Sequence, residues 1–266
     1  MKPEILLKQL NHNLLELLGE SLVGIYLHGS YAMNSYHPIT SDIDLLVVVR
    51  ETLNKQTKRA IIDKLIELSY FGPKKGFEVS VITASVAKAL KHPLYFELHF
   101  SYFHLERYLS DKNYLCENGY DPDLIAHVMV TKARGIRLYG EAIQKIFGAV
   151  KPHDFIDAIL YDLNDLKLDS EANMTYYVLN LLRFYYYLKD GGIYSKVEGG
   201  SKALEAYDPS YGRIIKACLS SYDPKLKSED LISHDDLVAF INLLITQINS
   251  KLLAISPELK PLRKLN

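Results

Sequence analysis

The chain has 266 residues, nearly twice a typical domain length of about 150 residues, with 48% hydrophobic and 24% charged residues. Those proportions exclude a disordered or collagen-like polypeptide. Lys and Arg number 31 against 32 Asp and Glu, so a net charge of -1 gives no global attraction to nucleic acid or to an anionic membrane. No apolar run approaches the roughly 18 residues of a spanning helix, the longest aliphatic stretch being Leu45 to Val49. The first residues lack the pattern of a secretory signal, so a cytoplasmic location is expected. Cys116 and Cys218 are far apart and outside any C-x-x-C arrangement, which points to buried thiols and not to a disulfide framework or zinc site. The histidines show no metal-ligand spacing, so any metal must be held mainly by carboxylates.

In chain order, Leu6, Leu10, Leu14 and Leu17 predict an amphipathic helix ending at Gly19. Leu22 to Leu27, Ile43 to Val49 and Phe77 to Ile82 read as buried strands, with a helix over about 53–68. Beyond Pro93 strand signals fade, and Pro122 to Leu138 reads as helical, with Gly140 as the next break. From Pro152 onward the pattern is almost wholly helical, near 154–166, 171–189, 202–207, 211–220 and 235–253. The last is the clearest, because Ser233 and Asp236 form an S-x-x-D cap ahead of Leu237, Ile241, Leu244, Ile248 and Leu252 on one face. Two domains are expected: an α/β unit with a small mixed sheet over 1–150 and an all-α helical bundle over 151–266.

Chemistry concentrates in Leu27-His28-Gly29-Ser30 and, after eleven intervening residues, Asp42-Ile43-Asp44. Two apart on a strand, Asp42 and Asp44 share a face while Ile43 points to the core. Two carboxylates at about 4 Å repel by roughly 4 kcal/mol at an effective dielectric near 20, a cost a divalent cation reverses. Hard oxygen ligands suit magnesium, particularly with substrate phosphates completing its shell. Gly29 and Ser30 open a short helix whose amides and hydroxyl can hold a phosphate. Glu78, at the start of the next strand, can deprotonate an attacking hydroxyl or share the metal. Each feature alone also fits a solvated edge or a turn; their combination is specific. Gly-Ser after one strand and Asp-x-Asp on the next points to a functional site.

With these residues the chain resembles the nucleotidyltransferase superfamily, and within it the bacterial aminoglycoside adenylyltransferases that modify streptomycin at its 3″ hydroxyl and spectinomycin at its 9 hydroxyl. The likeness runs from about Val23 to Leu252 and includes Phe77-Glu78-Val79-Ser80-Val81, the Asp123 to Gly140 segment and Val178 to Lys196. It implies an antibiotic-resistance enzyme with ATP as adenylyl donor, Mg2+ held by Asp42 and Asp44, Glu78 as base, and a helical domain closing over nucleotide and acceptor. It adds Ser41, Arg183 and Lys196 to Gly29 and Ser30 as nucleotide-binding candidates. From the residues alone, an Arg on an apolar helix and a Lys just after two glycines fit phosphate binding as well as a salt bridge and a solvated Lys.

Acceptor recognition departs from the family. A Trp of the drug-binding members corresponds to Phe103, and an acidic residue to Asn173, with Asp169 retained nearby as a contact candidate. Spectinomycin is therefore expected before streptomycin. A protein hydroxyl as acceptor, or a nucleotide sensor without turnover, are the alternatives; a small-molecule acceptor, a monomer and no nucleic-acid or membrane partner are expected. Most of the 20 tyrosines, Tyr176, Tyr177, Tyr185, Tyr186 and Tyr187 among them, are read as packing. His99 and His104 are read as part of a packed aromatic segment and not as a metal cluster.

Overall fold

The computed structural model describes residues 1–223 and 232–265. The chain divides into two compact units, Met1–Lys151 and a second beginning at Pro152.

In the first unit, helix α1 (Pro3–Leu18) leads through a 3-10 turn into β1 (Leu22–His28), the four-residue helix α2 (Gly29–Ala32) and β2 (Ile43–Val49). Helix α3 (Lys55–Ser69), capped by the Asn54 side chain on the Thr57 amide, crosses to β3 (Phe77–Thr83). There follow α4 (Ala84–Ala89), β4 (Leu94–Phe100), α5 (Leu105–Ser110), β5 (Glu117–Asp121), α6 (Leu124–Arg134), β6 (Ile136–Gly140) and α7 (Ile143–Ile146). The six strands form one mixed sheet in the order β5-β4-β3-β2-β1-β6, with β2 and β3 parallel and every other pair antiparallel.

Alternation assigns the two faces. Ile43, Leu45, Val47 and Val49 of β2 join Leu6, Leu10 and Leu14 of α1 and Ile61, Ile62 and Leu65 of α3 in one core. The even-numbered positions, Leu46 and Val48, are equally buried on the opposite face. Asp44 belongs to that second face, at the end of the strand where the apolar run stops.

Strands β4, β5 and β6 correct the expectation that strand signals end at Pro93. In β4, Leu94, Phe96, Leu98 and Phe100 alternate with Tyr95, Glu97 and His99, a period of two that its many aromatic residues obscure. β5 and β6 are five-residue edge strands, largely polar or exposed, and too short to carry a periodicity. The helix expected over Pro122 to Leu138 therefore stops at Arg134, and Ile136, Arg137, Tyr139 and Gly140 pair with β1.

A second feature that local sequence patterns do not reveal is the ammonium of Lys58. Only 1% exposed, it lies 3.3 Å from Glu97, 2.8 Å from Glu117 and 2.8 Å from the Asn118 side-chain oxygen. It ties α3 to β4 and β5. Removing one member of such a buried cluster strands the opposite charge. Lys58→Met is expected to lower the stability of this unit by about 3–5 kcal/mol in denaturant unfolding, with part of the loss recovered by adding Glu97→Gln. A loss below about 1 kcal/mol, as for an exposed pair, would contradict this.

The second unit is helical among its described residues: α8 (Pro152–Asp165), α9 (Glu171–Asp190), α10 (Lys196–Ala206), α11 (Pro209–Tyr222) and α12 (His234–Ile255). α9 is central, with Met174, Tyr177, Val178, Leu179, Leu181, Leu182, Phe184 and Tyr186 all buried, as expected of a helix apolar on most sides. α10 begins six residues before the expected start. Ser195 and Glu198 form a capping box there, and Gly199 and Gly200 sit inside the helix. These glycines, loop signals by composition, let helices approach: a Cβ on Gly200 would lie 2.6 Å from Leu219, and one on Gly199 3.1 Å from Arg183.

The Ser233 hydroxyl accepts from the Asp236 amide at 3.1 Å, as expected of the cap on α12. Averaged over 18 residues, α12 has a mean hydropathy of 1.5, long and apolar enough for a membrane span by composition, a property that its interrupted apolar runs conceal. Its apolar stripe, Leu237, Phe240, Ile241, Leu244, Ile245, Ile248 and Leu252, is buried against the other helices. Its polar residues also have protein partners: Asn242 makes two hydrogen bonds to the Leu265 backbone and Asn249 two to Leu262. Cys218 is buried as expected, whereas Cys116 is half-buried.

Candidate active site

The register of the central strands places the site. His28 on β1 pairs with Asp44 on β2, which pairs in parallel with Glu78 on β3, so three polar side chains cross the sheet in one row. Asp42 lies one pleat before Asp44. Asp42, Asp44 and Glu78 each offer an oxygen within 4.8 Å of the others. Three carboxylates this close repel one another, and hard oxygen donors are what a divalent cation such as magnesium takes. The residues fit such an ion.

Gly29 faces this cluster. Its φ is +63°, and an added Cβ would come 1.9 Å from the Asp44 Oδ2, so both backbone and space require glycine. The adjoining Ser30 hydroxyl is buried without a hydrogen-bond partner, a group that a phosphate oxygen would satisfy. Ser41, 2% exposed, accepts from the His37 amide at 3.1 Å and fixes the loop leading to Asp42.

Beside the carboxylates lies a pocket of about 350 Å³ lined by Asp42, Lys75, Phe77, Glu78, Ser101, Tyr102 and Phe103. Phe103 is 87% exposed and Tyr102 60%, so both offer ring surface at its mouth. This modifies the expectation of a wholly packed aromatic segment. His99, His104, Phe100 and Tyr108 are the packed part, with His99 bonded to the Ser80 hydroxyl at 3.0 Å and its pKa lowered to about 4 by burial.

Two residues at the start of α6 complete the surroundings. Nδ1 of His127 is 3.7 Å from Glu78 Oε1 and its Nε2 is 4.0 Å from Asp123 Oδ2. The His127 ring lies 5.1 Å from that of His28. Burial disfavours a charged His127, but Asp123, Glu78, Asp44 and Asp121 outweigh it and raise its pKa. Burial, and then the influence of His127, hold His28 well below the ordinary histidine value. Burial raises the Asp123 carboxyl, against the pull of His127. Sequence reasoning misses His127 and Asp123 as site residues. Their one signal is an ionisable residue among Leu124, Ile125, Ala126 and Val128, one turn after an Asp-x-Asp.

Arg183, Lys196, Asp169 and Asn173 belong to the helical unit. Arg183 stands on α9 against Gly199, its Nε buried without a hydrogen-bond partner. The Lys196 ammonium is 4.4 Å from the Tyr176 ring and 5.3 Å from that of Tyr222. Asn173 donates its side-chain amide to Asp169 at 2.8 Å and its backbone amide to the Ser170 cap.

Sequence comparison identifies a nucleotidyltransferase domain over residues 7–96 and an aminoglycoside adenylyltransferase C-terminal domain over 145–247. The spectinomycin 9-adenylyltransferase of Staphylococcus aureus is 30% identical over 185 residues, 68% of this chain and 70% of that one. The chain belongs to the aminoglycoside adenylyltransferase family. An aminoglycoside (3″)(9) adenylyltransferase of Klebsiella pneumoniae is 26% identical over 238 residues, 85% of this chain and 87% of its own. Among solved structures, the spectinomycin adenyltransferase AAD(9) of Enterococcus faecalis, determined with ATP and spectinomycin, has the same fold. It superposes with a TM-score of 0.76 at 23% identity, over 92% of this chain and 98% of that one. The adenylyltransferase family and the carboxylate cluster thus meet in the sheet unit, where Gly29, Ser30, Asp42, Asp44 and Glu78 fall within the nucleotidyltransferase match.

Proposed function

We propose that the protein transfers the adenylyl group of ATP to a hydroxyl of an aminoglycoside-type antibiotic, spectinomycin in preference to streptomycin, and so confers resistance. The observation that carries this reading is the meeting of Asp42, Asp44 and Glu78 within 4.8 Å beside a pocket with an aromatic mouth.

Asp42 and Asp44 are the residues to hold magnesium, which when bound offsets negative charge on the triphosphate. Gly29 permits a phosphate to approach the backbone, and the Ser30 hydroxyl gains the partner it lacks. Ser41 keeps the approach to Asp42 in place. In the helical unit, Arg183 and Lys196 are assigned to the nucleotide phosphates. Glu78 takes the proton of the acceptor hydroxyl as that oxygen bonds to the α-phosphorus. The bond from the same phosphorus to the bridging oxygen breaks, and pyrophosphate leaves. Binding supplies alignment, and most of the acceleration follows from alignment and charge.

Phe103 offers a ring face for an acceptor to rest on. Asn173 beside Asp169 offers one carboxylate where two would better hold the guanidinium groups of streptomycin. The test is pyrophosphate release with ATP, magnesium and each drug in turn. A higher kcat/KM for spectinomycin is expected. A higher value for streptomycin would overturn the preference, and no release with any drug would overturn the antibiotic reading in favour of a protein acceptor or a nucleotide sensor.

A further inference from the structure

We propose that His127 is the positioning residue of Glu78, holding its carboxylate in the orientation from which it takes the acceptor proton; this rests on the reading of Glu78 as the base. A glutamate has three rotatable side-chain bonds, and this one sits within 4.8 Å of Asp42 and Asp44, whose like charges repel it. The His127 imidazole stands beside it, Nδ1 toward Glu78 at 3.7 Å and Nε2 toward Asp123 at 4.0 Å.

The imidazole is itself held. Its ring lies against His28, which is 3% exposed on β1, and its backbone belongs to a helix anchored by the buried Leu124, Ile125, Val128 and Thr131. The side chain is 22% exposed, so its position does not depend on filling a core. β1 and α6 therefore fix one ring, and that ring faces the proposed base. A catalytic group held by a neighbour whose own rotamer is locked is what precise proton transfer requires.

The geometry distinguishes substitutes. An Asn side-chain nitrogen falls near the Nδ1 position and a Gln nitrogen near Nε2, so His127→Asn retains the contact to Glu78 and His127→Gln does not. Single-turnover rates at saturating ATP, magnesium and spectinomycin are to be measured in the full chain, with ATP affinity in parallel. His127→Ala is expected to lose about 10- to 100-fold in rate, as when a partner that orients an active-site ligand is removed, with ATP affinity unchanged. His127→Asn recovers most of the rate, His127→Gln little of it. His127→Ala combined with Glu78→Gln is no slower than Glu78→Gln alone, because the ring acts through the carboxylate.

Rate losses that multiply in the double variant would overturn the inference. So would equal rates for the Ala, Asn and Gln variants. Should His127→Ala fail to fold, the order of His127→Asn over His127→Gln decides alone. A wild-type rate for Glu78→Gln, measured with His127 intact, would instead overturn the base reading itself and the inference with it.

Discussion

Asp44→Asn is expected to abolish adenylyl transfer, lowering kcat by about a thousandfold or more, while the thermal unfolding transition stays where it is. Asn has the shape of Asp, so the row His28, Asp44, Glu78 across β1, β2 and β3 is preserved. The negative charge that holds the cation is not. Asp44 is half-buried at the open end of a strand whose remaining residues are apolar and covered, so the apolar core of the sheet does not include it. Repulsion within the cluster even falls, because Asp42 and Glu78 lose a like-charged neighbour within 4.8 Å. Turnover close to wild type, measured alongside an unchanged melt, would remove Asp44 from the metal site.

Glu78→Gln is expected to lower kcat by about 10²- to 10⁴-fold, the range that a general base contributes, with ATP binding little affected. Glu78 lies on the pocket side of the cluster with Phe103 and Tyr102, whereas the groups assigned to the phosphates, Gly29 and Ser30, follow β1. The amide keeps the size and most of the hydrogen-bonding capacity of the carboxylate but cannot take a proton. A rate at saturating substrates equal to that of the wild type would assign proton removal elsewhere. A large rise in the KM for ATP with kcat intact would mark Glu78 as part of nucleotide binding instead.

Much of the sheet unit is legible in the sequence because its central strands are covered on both faces. β1, β2 and β3 are short aliphatic runs with clear ends, and α1 and α3 carry leucine and isoleucine at helical spacing. β4 hides its alternation behind aromatic residues, and β5 and β6 owe their conformation to pairing with a neighbour, not to local preference. The start of α10 is hidden for the opposite reason. Gly199 and Gly200 disfavour a helix locally and are there because α9 and α11 pass close to them.

The candidate site divides in the same way. Gly29, Ser30, Asp42, Asp44 and Glu78 sit at strand ends, where local spacing reveals them. His127 lies 49 residues beyond Glu78 by number and 3.7 Å from it in space, a contact that no local pattern contains. Lys58, by local pattern an ordinary residue of an amphipathic helix, is charged yet buried because Glu97 and Glu117 arrive from β4 and β5. Long-range pairing decides both.

The central claim is that these carboxylates serve adenylyl transfer to an antibiotic hydroxyl. Its most direct test is the mass of spectinomycin after incubation with the purified protein, ATP and magnesium, with the Asp44→Asn variant run in parallel. The account predicts spectinomycin carrying one adenylyl group, formed by the wild type, absent without magnesium and absent with the variant. Unmodified spectinomycin from a protein that binds ATP, or equal product from the variant, would contradict it.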